Sequence, residues 1–424
     1  FGHPQVYGEL ITDPKKKTIL FYSMYDVQPV EPGWEVGGKP VNPFGGEIHR
    51  FEWFLGCTGT CLINRGITNQ KGPTQAFFNV LRTIKALEGE LPVNFIFAIE
   101  GEEELASIHM ESFIANYREK LKRADLVYFP MGAETYDGNV QLNLGVRGVF
   151  PMKIRMAGGD WGGPTTRHIH SGQSGIVQNP VFKLAELLCA LKNDDTGEVL
   201  VPGVWDDPDI VGPDPDDRRL IDDVVAKTNF EEFKEYLGVN VLRRIDGQEL
   251  KGAERFEMGL FRPGISVNGV EGGYAGPGSK TIIPFEVRAN LDVRLSPFQK
   301  LDKIKQLYRE FLAERFPMAE VTFGQGYPPA KMSASHPVVQ ALVSACKTFD
   351  KEVMMAPLLA GSAPFSLFQG MLGLPFVIGG LGHGGRAHSP NEYMVLKSDS
   401  GKVGGIIDFE KSVAVFLDNV SRML

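Results

Sequence analysis

Three consecutive carboxylates, Glu102, Glu103 and Glu104, stand in "FAIEGEEELAS", where an apolar run breaks into a turn. Asp26 follows "KKTILFYSM" in the same way, and Met131 follows "ADLVYFP". Carboxylates at such breaks act as general bases or as ligands to a metal ion. A hydrolase usually places a metal ligand just before an Asp like Asp26, yet this chain offers Ser23 and Met24 there. Cys57 and Cys61 in "CTGTC" have the spacing of half a metal site. No second Cys or His pair at matching spacing lies nearby, so they read as small, half-buried loop residues.

These residues depend on the elements that carry them. "KKTILFYSM", "PVNFIFAIE" and "ADLVYFP" read as strands. "GPTQAFFNVLRTIKALEGE" and "LASIHMESFIANYREKLKR" read as helices between them. Strands alternating with helices imply a parallel sheet covered on both faces, with active groups at the carboxyl ends of its strands. From about Val146 the texture changes to alternating strands, "VRGVFPMKIRMAGG" and "TIIPFEVRANLDVRLSP", with helical "NPVFKLAELLCALK" and "FQKLDKIKQLYREFLAERF". The stretch from Val201 to Glu254 starts polar and rich in Asp and Pro, and reads as an insertion. After "GYPPAKMSASHP" the helix–strand alternation returns. The simplest architecture is a split α/β domain with an α+β module inserted between its parts.

The bulk composition sets limits. A chain of 424 residues calls for two domains or more. With 44 Lys and Arg against 52 Asp and Glu, the net charge of −8 and the lack of a basic block argue against nucleic acid and anionic membranes. No apolar run approaches the roughly 20 residues of a membrane span. Four cysteines are no disulfide framework, which favours a reducing, cytoplasmic setting. The sequence starts at Phe1 and enters a strand almost at once, so a preceding segment is expected.

"YSMYDVQPVEPGW", "NRGITNQKGP", "FAIEGEEELAS", "RHIHSG", "SKTIIP…VRL" and "GRAHSPNE" occur in one chain and in this order. The set resembles the dinuclear zinc exopeptidases and deacylases of peptidase family M20, which include carnosinase-type dipeptidases and aminoacylases. The resemblance covers nearly the whole chain. It implies an α/β fold, with a split catalytic domain over 1–145 and 329–424. Its parallel-rich sheet is covered by helices, and a lid domain over 146–328 makes a homodimer.

By the same resemblance, two zinc ions would share a bridging Asp and a water. Here the positions of the first His, the bridging Asp and the last acidic ligand hold Met24, Asn69 and Met131. Glu103 matches the general base, and Glu104 and His388 match two ligands. Asp26 matches the group that orients the missing His. His170 matches a lid His that stabilises an oxyanion in the partner subunit's site. Arg294 matches a carboxylate anchor, and Asn268, Gly361 and Ser362 match substrate contacts, with Asn69 beside them.

Three carboxylate ligands are thereby reduced to one, too little charge for two dications. The expectation is no metal cofactor, or at most one divalent zinc ion held by Glu104 and His388. Two thioethers and a His would suit copper(I), but Met filling a vacated gap is the more ordinary account. Zinc lowers the pKa of water from 15.7 to about 7, worth on the order of 12 kcal/mol at about 1.36 kcal/mol per unit. A lone base supplies about 3–5 kcal/mol.

The expected function is a hydrolase acting on an amide, lactam, ester or similar bond of a small carboxylated substrate without the zinc pair. The alternatives are an inactive relative that binds such a ligand or a partner, and an ordinary zinc enzyme with ligands rerouted through His3, His168, His383, Cys57 or Cys61. Lys71 and Arg65 are expected to pair with local carboxylates, and Cys189 and Cys346 to lie in the core.

Overall fold

The computed structural model describes residues 2–423. Its central sheet runs in the spatial order Val6–Leu10, Asn94–Glu100, Thr18–Met24, Leu126–Phe129, Phe376–Ile378. Only the first pairing is antiparallel. Every residue of Thr18–Met24 is buried, because its two faces meet different helices. Phe21 stacks on Phe77 of the Gly72–Glu88 helix with ring centroids 4.1 Å apart. Tyr22, pointing to the other face, lies 5.1 Å from Phe368 of the Phe365–Leu372 helix. A strand covered on both sides must be apolar at consecutive positions rather than alternate ones.

The Gly72–Glu88 helix starts with Pro73 in its first turn and stops at Gly89, whose φ of 77° and N–H bond to the Lys85 carbonyl close the last turn. It packs on the Ile406–Ser421 helix, which in turn packs on Pro337–Lys347. One apolar core therefore joins residues from Ile19 to Val146 with residues from Ala330 to Val420.

A second core lies under an antiparallel sheet ordered Gly264–Gly272, Glu286–Leu295, Gly148–Ala157, Ala319–Phe323. Alternate residues of Glu286–Leu295 are buried under the Pro180–Leu191 and Leu301–Arg315 helices. The polar stretch after Val201 is ordered as well. Asp214 and Asp217 form a capping box for the Pro215–Lys227 helix, which packs on the Val353–Ala356 strand.

Several expectations need correction. The helix expected from Leu105 begins only at Met110 and breaks at Tyr117. The residues before it form a short 3-10 turn, Glu103–Leu105, with Ala106 and Ser107 at φ 66° and 52°. Cys57 and Cys61 lie on the Cys57–Ile63 strand rather than in a loop. Cys189 is exposed, because the buried stripe of its helix runs through Leu184, Leu187 and Leu191; Cys346 is buried. Among the described residues, no helix is long and apolar enough to cross a membrane.

Candidate active site

The parallel register sets Met24 beside Glu100, so the segments leaving these two strands run together. The Tyr25 N–H donates to the Glu100 carbonyl at 2.8 Å. The Glu104 N–H donates to Asp26 Oδ2 at 2.9 Å, which locks the acidic turn to the turn after the first strand. Asp26 Oδ1 is buried without a partner, and burial raises the Asp26 pKa.

Glu104 is the hub. Its Oε1 accepts from Asn69 Nδ2 at 2.8 Å and lies 3.3 Å from His388 Nε2. Its Oε2 accepts from Gln28 Nε2 at 2.7 Å. Asn69 Nδ2 also sits 3.2 Å from His388 Nε2. The bond to Glu104 raises the His388 pKa, since it favours the imidazolium. His388 holds φ at 64°, a conformation that costs a non-glycine residue roughly 1 kcal/mol.

The loop bearing Asn69 is built on a residue that sequence reasoning passed over. Buried Glu392 accepts from the backbone N–H of Gly66, Thr68 and Asn69, at 2.8, 3.0 and 3.1 Å, and from Arg65 Nη1 at 3.1 Å. Arg65 also reaches Glu31 at 2.7 Å, a pairing with carboxylates as expected. Gly66 has φ 79°, and a Cβ there would run into Val27. Lys71 does not pair with a carboxylate: its ammonium donates to the Tyr25 carbonyl, and burial lowers its pKa.

Glu103 is partly buried beside this hub. Burial first, then the charges of Glu104, Glu100 and Asp26, drive its pKa well up, while Arg294 pulls it down. Below it, Glu100 accepts from Tyr22 at 2.5 Å and Ser107 at 3.0 Å, and burial pushes its pKa up to about 7. Glu102 turns away to His109, at 2.7 Å, and to the His3 N–H.

Arg294 comes from the second sheet. Its Nη1 donates to Ser362 Oγ at 2.8 Å, and its Nη2 meets Asp292 at 3.2 Å. Gly361 contributes its carbonyl to the Arg147 N–H at 3.1 Å. The chain thus brings together Asp26, Asn69, Glu103, Glu104 and His388, with Arg294 and Ser362 alongside.

His170 and Asn268 do not join them. His170 is exposed and bonds locally to the Gly172 N–H at 3.0 Å and Thr281 Oγ1 at 3.4 Å. Asn268 is exposed at a bulge between Val267 and Gly269. Met24 is 2 % exposed, and Met131 packs against the main core.

The residues proposed for rerouted ligands are spread out or engaged. His383 is buried, with its Nδ1 at 2.8 Å from the Glu134 carbonyl and its Nε2 at 2.9 Å from the Tyr393 hydroxyl. His168 Nδ1 accepts from the Phe285 N–H, and His3 is exposed. Among the described residues, no three His, Cys, Asp or Glu side chains form a group that could hold a metal ion.

Residues 20–403 match the profile of peptidase family M20/M25/M40. The chain belongs to that family. It is 28% identical over 331 residues to the human Beta-Ala-His dipeptidase, covering 74% of this chain and 57% of that protein. With the Cys-Gly metallodipeptidase dug1 of Schizosaccharomyces pombe it shares 30% over 321 residues, 74% of this chain and 60% of that one. The chain therefore spans little more than half the length of these relatives. Among solved structures, the M20 family metallo-carboxypeptidase Sso-CP2 of Sulfolobus solfataricus superposes with a TM-score of 0.81 at 30% identity. That match covers 99% of this chain and 88% of that one. The mixed α/β fold is thus that of the M20 peptidases.

Gln28 and Glu392 both lie within the family-like motifs, two residues past Asp26 and at the end of "GRAHSPNE". The signal was there as residue type. Their partners, 76 and more than 320 residues away in sequence, were not.

Proposed function

We propose that the chain is the core of an M20-type hydrolase that cleaves an amide, lactam, ester or similar bond of a small carboxylated substrate without the family's two-zinc centre. The observation that carries this reading is the set of groups around Glu104. Where zinc chemistry needs about three protein ligands per ion, from nitrogen, thiolate or carboxylate, this carboxylate instead receives hydrogen bonds from the side-chain amides of Asn69 and Gln28. An amide N–H is no ligand, and Met24 and Met131 offer only thioethers, which suit soft ions rather than a zinc pair. The set does not fit two zinc ions. A lone divalent ion between Glu104 and His388 would have to displace the Asn69 bond.

Glu103 then acts as the base. Burial and the neighbouring carboxylates raise its proton affinity, the direction in which a carboxylate becomes a stronger base. It takes a proton from water as the oxygen attacks the substrate carbonyl. His388, held by Glu104, is the nearby group able to return a proton to the leaving atom, and Asp26 fixes the turn that aims both carboxylates. Arg294, preset by Ser362 and Asp292, offers a guanidinium fork to the substrate carboxylate. The relatives named above, by their names a Beta-Ala-His and a Cys-Gly dipeptidase, support a small peptide-like substrate. The missing nucleophile activation points to a bond more reactive than an ordinary peptide. His170, exposed on the short Ile169–His170 strand, and Asn268, exposed on the second sheet, would serve the site of a second copy, as in a homodimer. A cytoplasmic setting agrees with four unpaired cysteines.

The test is turnover on a panel of dipeptides, strained cyclic amides and activated esters. The reading expects activity on one of these classes that Glu103→Gln lowers by about 10²–10⁴-fold with the fold intact. Full activity in Glu103→Gln would refute it. A lack of turnover, with binding of a carboxylated ligand through Arg294, would replace it with a binding protein.

A further inference from the structure

A cavity of about 740 Å³ lies between the Pro215–Lys227 and Gly252–Phe256 helices and the loop around Tyr136. It borders the candidate active site through Met131 and Ala360, but none of Glu103, Glu104, Asn69, His388 or Arg294 lines it. Its size suits a small organic ligand.

The lining charges are lopsided. Arg147, Lys192, Lys227, Arg243 and Arg255 contribute positive charge, against Glu134 and Asp137. Most of these are engaged within the protein. Lys192 and Arg243 share Asp194, and Lys227 pairs with Asp223 and Glu352. Glu134 holds Lys351 at 3.3 Å and the Gly404 N–H. Asp137 takes bonds from Thr135 and Asn139. Arg147 places its donors on carbonyl oxygens, those of Gly259 and Arg262 at 2.6 Å among them.

Arg255 differs from the rest. Its guanidinium lies 4.1 Å from the centre of the Phe233 ring and 4.8 Å from that of Phe256. Among the described residues no carboxylate forms an ion pair with it; burial lowers its pKa, with Tyr136 acting weakly the other way, and its Nη1 is buried without any acceptor. A guanidinium in an apolar wall without an anion is costly. A ligand carboxylate meets that need, and Tyr136 and Tyr236, stacked at 4.9 Å in the same lining, offer aromatic surface to its body.

We propose that this cavity is a second ligand site, separate from the Glu103 site, that takes a small organic monoanion with an aromatic body, its carboxylate paired with Arg255.

The probe is 4-phenylbutyrate, titrated calorimetrically into the full chain beside its neutral amide, 4-phenylbutyramide. One equivalent of carboxylate is expected to bind, roughly tenfold or more tighter than the amide. Arg255→Met, which keeps the apolar stem, should remove that advantage while leaving the amide's affinity unchanged. Arg255→Lys should restore part of it, and Arg294→Met should leave it intact. Equal binding of carboxylate and amide, or no binding of either, would overturn the proposal. So would an advantage lost in Arg294→Met but kept in Arg255→Met, which would place the probe at the Glu103 site.

Discussion

The side-chain amide of Asn69 donates to Glu104 Oε1 at 2.8 Å. A carboxylate at the Asn69 position would set two anions at hydrogen-bonding distance, with only His388 between them. The neutral amide removes that repulsion and replaces a cation with a donor. In this account the whole site follows from that exchange.

Asn69→Asp should therefore rebuild part of a metal site. Without metal, the substituted carboxylate would face Glu104 and lower stability by about 1–3 kcal/mol. With zinc, it would join Glu104 and His388 as a third ligand. Thermal unfolding with and without zinc should show a clearly larger metal-dependent rise in Tm for the variant than for the parent. An equal rise in both, or a rise in neither, would contradict the account.

Glu392→Gln should loosen the loop that presents Asn69. Three backbone N–H groups and Arg65 lose a charged acceptor, and buried Arg65 keeps Glu31 as its one carboxylate, with the Ser389 and Pro29 carbonyls beside it. Removing one partner of a buried pair costs about 3–5 kcal/mol, and the isosteric amide retains some of the bonds. Urea unfolding should show a loss of about 2–4 kcal/mol. A change within experimental error would mean that the loop is held by other contacts.

Arg294→Lys tests the anchor. Lysine keeps the charge but not the two-pronged donor that reaches Ser362 and Asp292. On whichever substrate is turned over, KM should rise by roughly tenfold while kcat changes little. A drop confined to kcat would move Arg294 from the anchor to the reacting centre.

His383 gives a pH dependence of stability away from the catalytic groups. Burial lowers its pKa from 6.5 to about 4, with its ring bonded to the Glu134 carbonyl and the Tyr393 hydroxyl. Between these values the unfolded chain binds the extra proton, so stability rises with pH across that window and is lost as pH falls below 6.5. The loss from this residue should be about 2 kcal/mol at pH 5 relative to neutral. Urea unfolding of the parent and of His383→Gln at both pH values should show that slope shrinking in the variant. Equal slopes would remove His383 as its source.

What the sequence revealed were features carried by local pattern. Consecutive apolar residues at Ile19–Tyr22 marked a strand covered on both faces, and the breaks after Met24 and Glu100 marked the ends where Asp26 and Glu103 stand. What it concealed depended on partners distant in the chain. Glu392 became legible only once the residues just before the Tyr393–Ser398 strand lay beside the Asn69 loop, and Gln28 only once Glu104 faced it. The helix expected from Leu105 failed because Ala106 and Ser107 adopt left-handed backbone, which neither residue advertises. The lone guanidinium of Arg255 was invisible for the same reason: nothing local shows that no acid will reach it.

The most direct test of the central claim is metal content by mass spectrometry on protein purified without chelator or nickel affinity, paired with turnover in EDTA. The account predicts one zinc ion per chain or none, and turnover that survives EDTA but falls in Glu103→Gln. Two zinc ions per chain, with activity lost in EDTA, would contradict it and restore a conventional metal-dependent M20 hydrolase.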